Sequence, residues 1–71
     1  MNEQQNVFEL DVDDMMAELE RLLTDRGYEV REQVPAGVWW FRTDRVLDET
    51  AGDIAVALEQ SVRSNLRVIE Q

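Results

Sequence analysis

Seven carboxylates, Glu3, Glu9, Asp11, Asp13, Asp14, Glu18 and Glu20, fall within the first 20 residues of this 71-residue chain, and no base stands among them. Residues 21 to 71 carry nine acids against seven arginines, so seven of the nine units of net negative charge belong to the N-terminal segment. Histidine, cysteine and lysine are all missing. Their absence removes the usual neutral-pH general base, thiolate nucleophiles and thiolate metal sites, Schiff-base chemistry and the commonest metal ligand. The serines and threonines have no sequence partner to activate them. Catalysis would rest on carboxylates alone, and acid, base and nucleophile placed together are not in view. The expectation is a non-enzymatic protein without cofactor or metal. The run Asp11-Val12-Asp13-Asp14 begins like a calcium loop, but Met15 and Met16 occupy the positions where such a loop needs an acidic or amide residue and then glycine.

What the carboxylates can do is make a field. A negative surface repels nucleic acid and anionic membranes and attracts basic protein surfaces. Helical spacing places Asp14, Glu18, Arg21 and Asp25 on one exposed stripe with Glu20 beside it, and residues three and four apart on a helix lie about 5 to 6 Å apart at Cβ. Together with Glu9 and Asp11 they form an array of anions that can stand in for a phosphate backbone before an arginine- and lysine-lined groove. Capping, solubility and adaptation to high salt also favour such acids. Like charges at i, i+4 are unfavourable, however, and seven without a base exceed what solubility needs.

The second chemical feature is Val38-Trp39-Trp40-Phe41-Arg42-Thr43-Asp44, which holds three of the five aromatic residues. On a strand, successive side chains point to opposite faces, so Trp39 and Trp40 part company. A three-residue loop at Pro35-Ala36-Gly37 pairs Val34 with Val38 and turns Trp40 inward, with Trp39 and Phe41 outward. A two-residue loop shifts the register by one and exchanges the faces. Turn chemistry favours the first register. Burial favours the second, which puts two rings into a thin core at about 25 cal/mol per Å² of apolar area. We expect Trp39 and Phe41 inside and Trp40 outside, where an exposed ring marks a docking point for a partner or a second copy.

Elements that position these residues follow from periodicity. Residues 7–12 alternate Phe8, Leu10 and Val12 with Glu9 and Asp11, as a half-buried strand does. From Val12 the period becomes helical through Met15, Met16, Leu19, Leu22 and Leu23, with Asp11, Asp13 or Asp14 as N-cap and Gly27 as the residue that ends the helix. Tyr28, Val30 and Val34 alternate with Glu29, Arg31 and Gln33 in a second strand. Pro35-Ala36-Gly37 then turns the chain into the aromatic strand. Thr50 to Asp53 reads as a capping box opening a second helix with the stripe Ile54, Ala55, Leu58 and Val62. Residues 66–71 read as a last strand, though Leu66 and Ile69 also fit a continued helix.

The order β-α-β-β-α-β resembles the ferredoxin-like split βαβ sandwich, an α+β fold with two helices on one face of an antiparallel sheet. If residues 66–69 were helical, the order would be β-α-β-β-α. RNA-binding domains of this architecture stack bases on exposed sheet aromatics. Here Glu9, Asp11, Glu29 and Glu32 share the sheet, so direct nucleic-acid contact is not expected. One small domain is expected, with residues 1–5 flexible and a core that buries only about 60% of the unfolded surface. The segment MNEQQNVFEL lacks a basic, apolar export signal, and no run reaches a membrane span, which points to the cytoplasm.

By its size, its charge and its missing catalytic residues, the chain resembles small acidic inhibitors encoded by phages and mobile elements, among them anti-CRISPR proteins that mimic DNA. The resemblance implies a stoichiometric inhibitor, acting as a monomer or homodimer in the host cytoplasm, that occupies the basic groove of a nucleic-acid-binding complex such as a CRISPR effector. Glu9, Asp11, Asp13, Asp14, Glu18, Glu20 and Glu29 would supply charge, and Trp39 or Trp40 contact area. The competing expectation is a small ferredoxin-like interaction or regulatory domain that dimerises or docks a partner through its sheet face.

Overall fold

The computed structural model describes residues 6–32 and 37–70. The segment 1–5, Gln33, Val34, Pro35 and Ala36, on which expectations of flexibility, strand and turn were placed, lie outside them. The elements come in the expected order: β1 (Val7–Leu10), α1 (Val12–Asp25), β2 (Glu29–Glu32), β3 (Trp39–Arg42), α2 (Leu47–Asn65) and β4 (Leu66–Glu70). The class is α+β, and residues 66–70 are a strand rather than a helical extension.

Helix α1 begins where β1 stops because Asp11 switches role. Its backbone is extended, with φ −81° and ψ 98°, and its carboxylate accepts the Asp14 amide at 3.0 Å. This is the N-cap geometry, and Asp13 and Asp14 add negative charge at the positive end of the helix dipole. At the other end Gly27 takes φ 99°. The Tyr28 amide then reaches the Leu23 carbonyl at 3.1 Å and the Gly27 amide reaches Thr24 at 3.0 Å, which is a Schellman motif. Leu23 and Tyr28, the residues that motif brings together, are both core residues.

The core is small. Leu19, Leu23, Tyr28 and Ala57 are buried together, and Met16, Leu22, Val30, Phe41 and Ile54 pack around them. Helix α2 meets α1 with its small residues, Ala57 and Ser61, both fully enclosed; the Ser61 hydroxyl donates back to the Leu58 carbonyl at 2.9 Å. A buried hydroxyl needs such a partner, and the preceding turn provides one.

Two expectations about α2 are corrected. It starts at Leu47, a turn before the expected box, with Val46 as an N-cap that offers no side-chain bond. Thr50 lies inside the helix, its amide bonded to the Val46 carbonyl at 2.9 Å. Asp53 accepts a bond from the Tyr28 hydroxyl instead of capping. The buried face of α2 runs through Ala57 and Ser61, so Ala55 and Leu58 of the expected stripe are exposed, with Ile54 and Val62 half-buried.

The sheet is the larger surprise. Among the described residues the strands form two separate antiparallel pairs, β1 with β4 and β2 with β3. Asp11 is the only residue between β1 and α1, and α2 passes directly into β4. Connections that let a strand fold back against a helix usually take about 2 to 6 residues. The β1–β4 ribbon therefore leaves the helix pair at its end, and the molecule reaches 53 Å along its long axis.

In β2–β3 the register is Val30 with Phe41, Arg31 with Trp40 and Glu32 with Trp39. This is the pairing of the shorter loop, the one that burial favours. Trp39 and Phe41 turn toward the helices, their rings 6.3 Å apart, and Trp40 is 61% exposed.

Candidate functional site

One groove joins the two chemical features of the sequence. Asp13, Met16, Ala17 and Glu20, at i, i+3, i+4 and i+7, form one stripe of α1, and Trp39 of β3 faces that stripe across an open cleft. The register of β3 places Trp39 on the helix side, and Phe41 supports its ring. Met16 and Trp39 give an apolar floor, while Asp13 and Glu20 stand at the rim, both exposed and neither in an ion pair with another described residue.

A cleft of this composition suits a long cationic side chain. The aliphatic stem of an arginine or lysine lies along apolar surface while its head seeks carboxylates. A tryptophan face adds cation–π attraction, about 0.5 to 1 kcal/mol at exposed sites.

The other acids are more occupied than the spacing suggested. Arg21 stands 3.7 Å from both Glu18 and Asp25, so the stripe Asp14, Glu18, Arg21, Asp25 is partly neutralised from within. Glu18 also accepts a bond from Asn65 Nδ2 at 2.9 Å, which ties α1 to the last turn of α2. Glu9 accepts Arg67 Nε across the ribbon at 2.8 Å, and Glu29 accepts Arg31 Nε at 2.8 Å within β2. Asp11 is committed to its cap, and Asp14, beside it, remains exposed. Of the expected set, the structure brings Asp13, Glu20 and Trp39 together, leaves Asp14 near them on α1, and engages Glu9, Glu18 and Glu29 elsewhere.

Trp40 belongs to a different surface. It stands on the outer face of β2–β3 with Arg31 across from it and Arg42 two residues along, and a shallow depression runs between these side chains and Thr43.

A polar cluster that sequence reasoning missed lies at the junction of α1, β2 and α2. Tyr28 Oη donates to Asp53 Oδ2 at 2.6 Å, and Arg26 Nη1 donates to Asp53 Oδ1 at 2.8 Å. The Arg45 guanidinium sits 4.7 Å from the Tyr28 ring centre and bonds the Arg26 carbonyl. The Tyr28 bond, followed by the charge of Arg26, holds the Asp53 carboxyl below its ordinary range. Burial, reinforced by Asp53, pushes the Tyr28 phenol upward. Both shifts move these groups away from neutral pH, and the bonds tie α2 to the residues that end α1. Spacings of 25 and 27 residues carry no periodic signal that would have revealed it.

Among the described residues no three carboxylates converge as a cation site, and no helix is long and apolar enough to cross a membrane. Compared with protein-family models, curated proteins and solved structures, the chain matches none.

Proposed function

We propose that this protein is a non-catalytic binding module that docks onto a basic protein surface through the groove between α1 and β3. The observation that carries the reading is the placement of Asp13 and Glu20 at the rim of an apolar floor containing Trp39. Arginine and lysine side chains from a nucleic-acid-binding groove are the chemistry that such a cleft takes. Occupying them makes the module an inhibitor that competes with DNA or RNA in the manner of an acidic mimic, and a CRISPR effector is one complex with a groove of that kind. Asp14, exposed on the same helix, adds to the field.

The test is a pull-down from host-cell extract with the immobilised protein, eluted by a salt gradient. Recovery of a nucleic-acid-binding complex that leaves at moderate salt and is displaced by its own nucleic acid supports the reading. A partner that resists salt and ignores nucleic acid contradicts it.

A second reading is favoured by Trp40, 61% exposed beside Arg31 and Arg42. In it the outer face of β2–β3 docks a partner protein with Trp40 as anchor, because aromatic and arginine side chains concentrate binding energy. Trp40→Ala would then abolish capture, and neutralising Asp13 and Glu20 would not. The ferredoxin-like arrangement belongs to the same proposal. Its sheet order, β4-β1-β3-β2, is completed when the edge of β1 lies beside β3.

A further inference from the structure

Asp13 and Glu20 are seven residues apart on α1, which returns them to one face of the helix and separates their Cα atoms by about 10 Å along its axis. Both are exposed, and neither is in an ion pair with a described residue. Between them lie Met16 and Ala17, with Trp39 opposite, so the groove runs acid, apolar floor, acid along its length. Carboxylates set that far apart suit two cationic head groups, with apolar side chains between them.

The backbone decides what can present this pattern. An extended guest repeats its side chains on one face every ~6.6 to 6.8 Å, and its main chain looks for partners on a neighbouring strand. The groove has none to give. From Met16 to Glu20 the N–H and C=O groups of α1 are bonded along the helix, and Trp39 offers a ring. An α-helix satisfies its own main chain and repeats on one face at i, i+3, i+4 and i+7, which is the stripe α1 itself shows. Its i and i+7 side chains start about 10 Å apart, the spacing of Asp13 and Glu20. Ala17, exposed at the middle of the stripe, leaves room for a second helix to come close.

We propose that the groove takes an α-helix of a partner protein that carries arginine or lysine at i and i+7 and aliphatic residues at i+3 and i+4. This rests on the groove reading given above and specifies what the basic surface must be. The two cationic heads meet Asp13 and Glu20, and the aliphatic pair seats on Met16, Ala17 and Trp39. The stems of the basic side chains cover the remaining apolar floor. A second copy of this chain is not the guest, because α1 holds Arg21 alone and α2 holds Arg63 alone, and neither helix presents the pair.

The experiment uses two alanine-based peptides of one composition. The first carries arginine at i and i+7 with leucine at i+3 and i+4; in the second, one arginine is moved to i+5, about 140° around the helix from the other. Each is titrated into the Trp40→Phe protein, with Trp39 emission reporting binding and circular dichroism reporting helix gained. The first peptide should bind at least ~10-fold tighter than its isomer, the loss of one charged hydrogen-bonded contact, and should become more helical as it binds. Asp13→Asn with Glu20→Gln should abolish that difference. A third peptide, the first with proline at i+5, keeps both arginines but cannot hold the helix, and it should fall to the level of the isomer. Equal binding of the first two peptides, or undiminished binding of the proline peptide, would identify an extended cationic guest and overturn the helix while leaving the groove in place. Trp39 emission that responds to none of the peptides would overturn the helix and the groove together.

Discussion

Tyr28 Oη donates to Asp53 Oδ2 at 2.6 Å, and this one contact joins the residue that ends α1 to the middle of α2. It also sets a pH window. The Asp53 carboxyl titrates lower in the fold than in the unfolded chain. Its contribution is therefore present above the unfolded value of about 3.9 and is lost as pH falls through the lower folded value. The Tyr28 phenol titrates higher in the fold. That contribution is complete below about 10 and is lost as pH rises through the raised value. Melting temperature against pH should show both limbs in the wild type. Asp53→Asn should lower the plateau by several degrees and flatten the acid limb, and Tyr28→Phe should remove the alkaline one. An acid limb unchanged in Asp53→Asn would assign it to other carboxylates.

Leu23 is fully buried at the centre of the core. Truncation to alanine should cost about 2 to 5 kcal/mol, most of what a domain this small has. Urea denaturation should find Leu23→Ala largely unfolded or close to it. A loss below about 1 kcal/mol would mean that the site collapses around the cavity.

Gly27 and Gly52 should respond to alanine with opposite signs. At Gly27 the added Cβ has room, with Arg45 guanidinium nitrogens 3.7 Å away, but φ is 99°. A left-handed conformation costs a non-glycine residue about 1 to 2 kcal/mol. Gly52 lies inside α2 with nothing within 4 Å of an added Cβ, so Gly52→Ala should stabilise by about 0.5 to 1 kcal/mol. Thermal melts of the two variants check both signs.

Single-tryptophan variants read the register of β3 directly. Trp40, alone in Trp39→Phe, should emit at longer wavelength and be quenched efficiently by acrylamide. Trp39, alone in Trp40→Phe, should be the better shielded. Equal quenching of the two would contradict the observed register.

The element order was legible because each period changes at a residue with a fixed role. Asp11 ends a two-residue alternation and caps a helix, and Gly27 supplies the positive φ that the next turn requires. The facing of the tryptophans followed from weighing buried ring area against turn chemistry. The division of the sheet did not, because propensity says nothing of how far a strand can swing on a one-residue connection. The start of α2 was misread because Thr50 and Asp53 have the spacing of a cap, while the partner of Asp53 lies 25 residues away. At the candidate site the sequence showed an excess of carboxylates. Which of them stay unpaired depends on where the arginines fall in space: Arg21, Arg31 and Arg67 engage Glu18, Glu29 and Glu9, whereas Asp13 and Glu20 stay free of any ion pair with a described residue and share a groove with Trp39.

The most direct test of groove docking is a titration of the Trp40→Phe protein, in which Trp39 is the sole fluorophore, with an arginine-rich peptide. A saturable change in Trp39 emission is expected, weakening steeply with salt. Asp13→Asn with Glu20→Gln should reduce it about 10- to 100-fold, the loss of one or two hydrogen bonds to charged groups. A peptide that leaves Trp39 emission unchanged, or that binds the doubly neutralised protein equally well, would contradict the assignment of this groove.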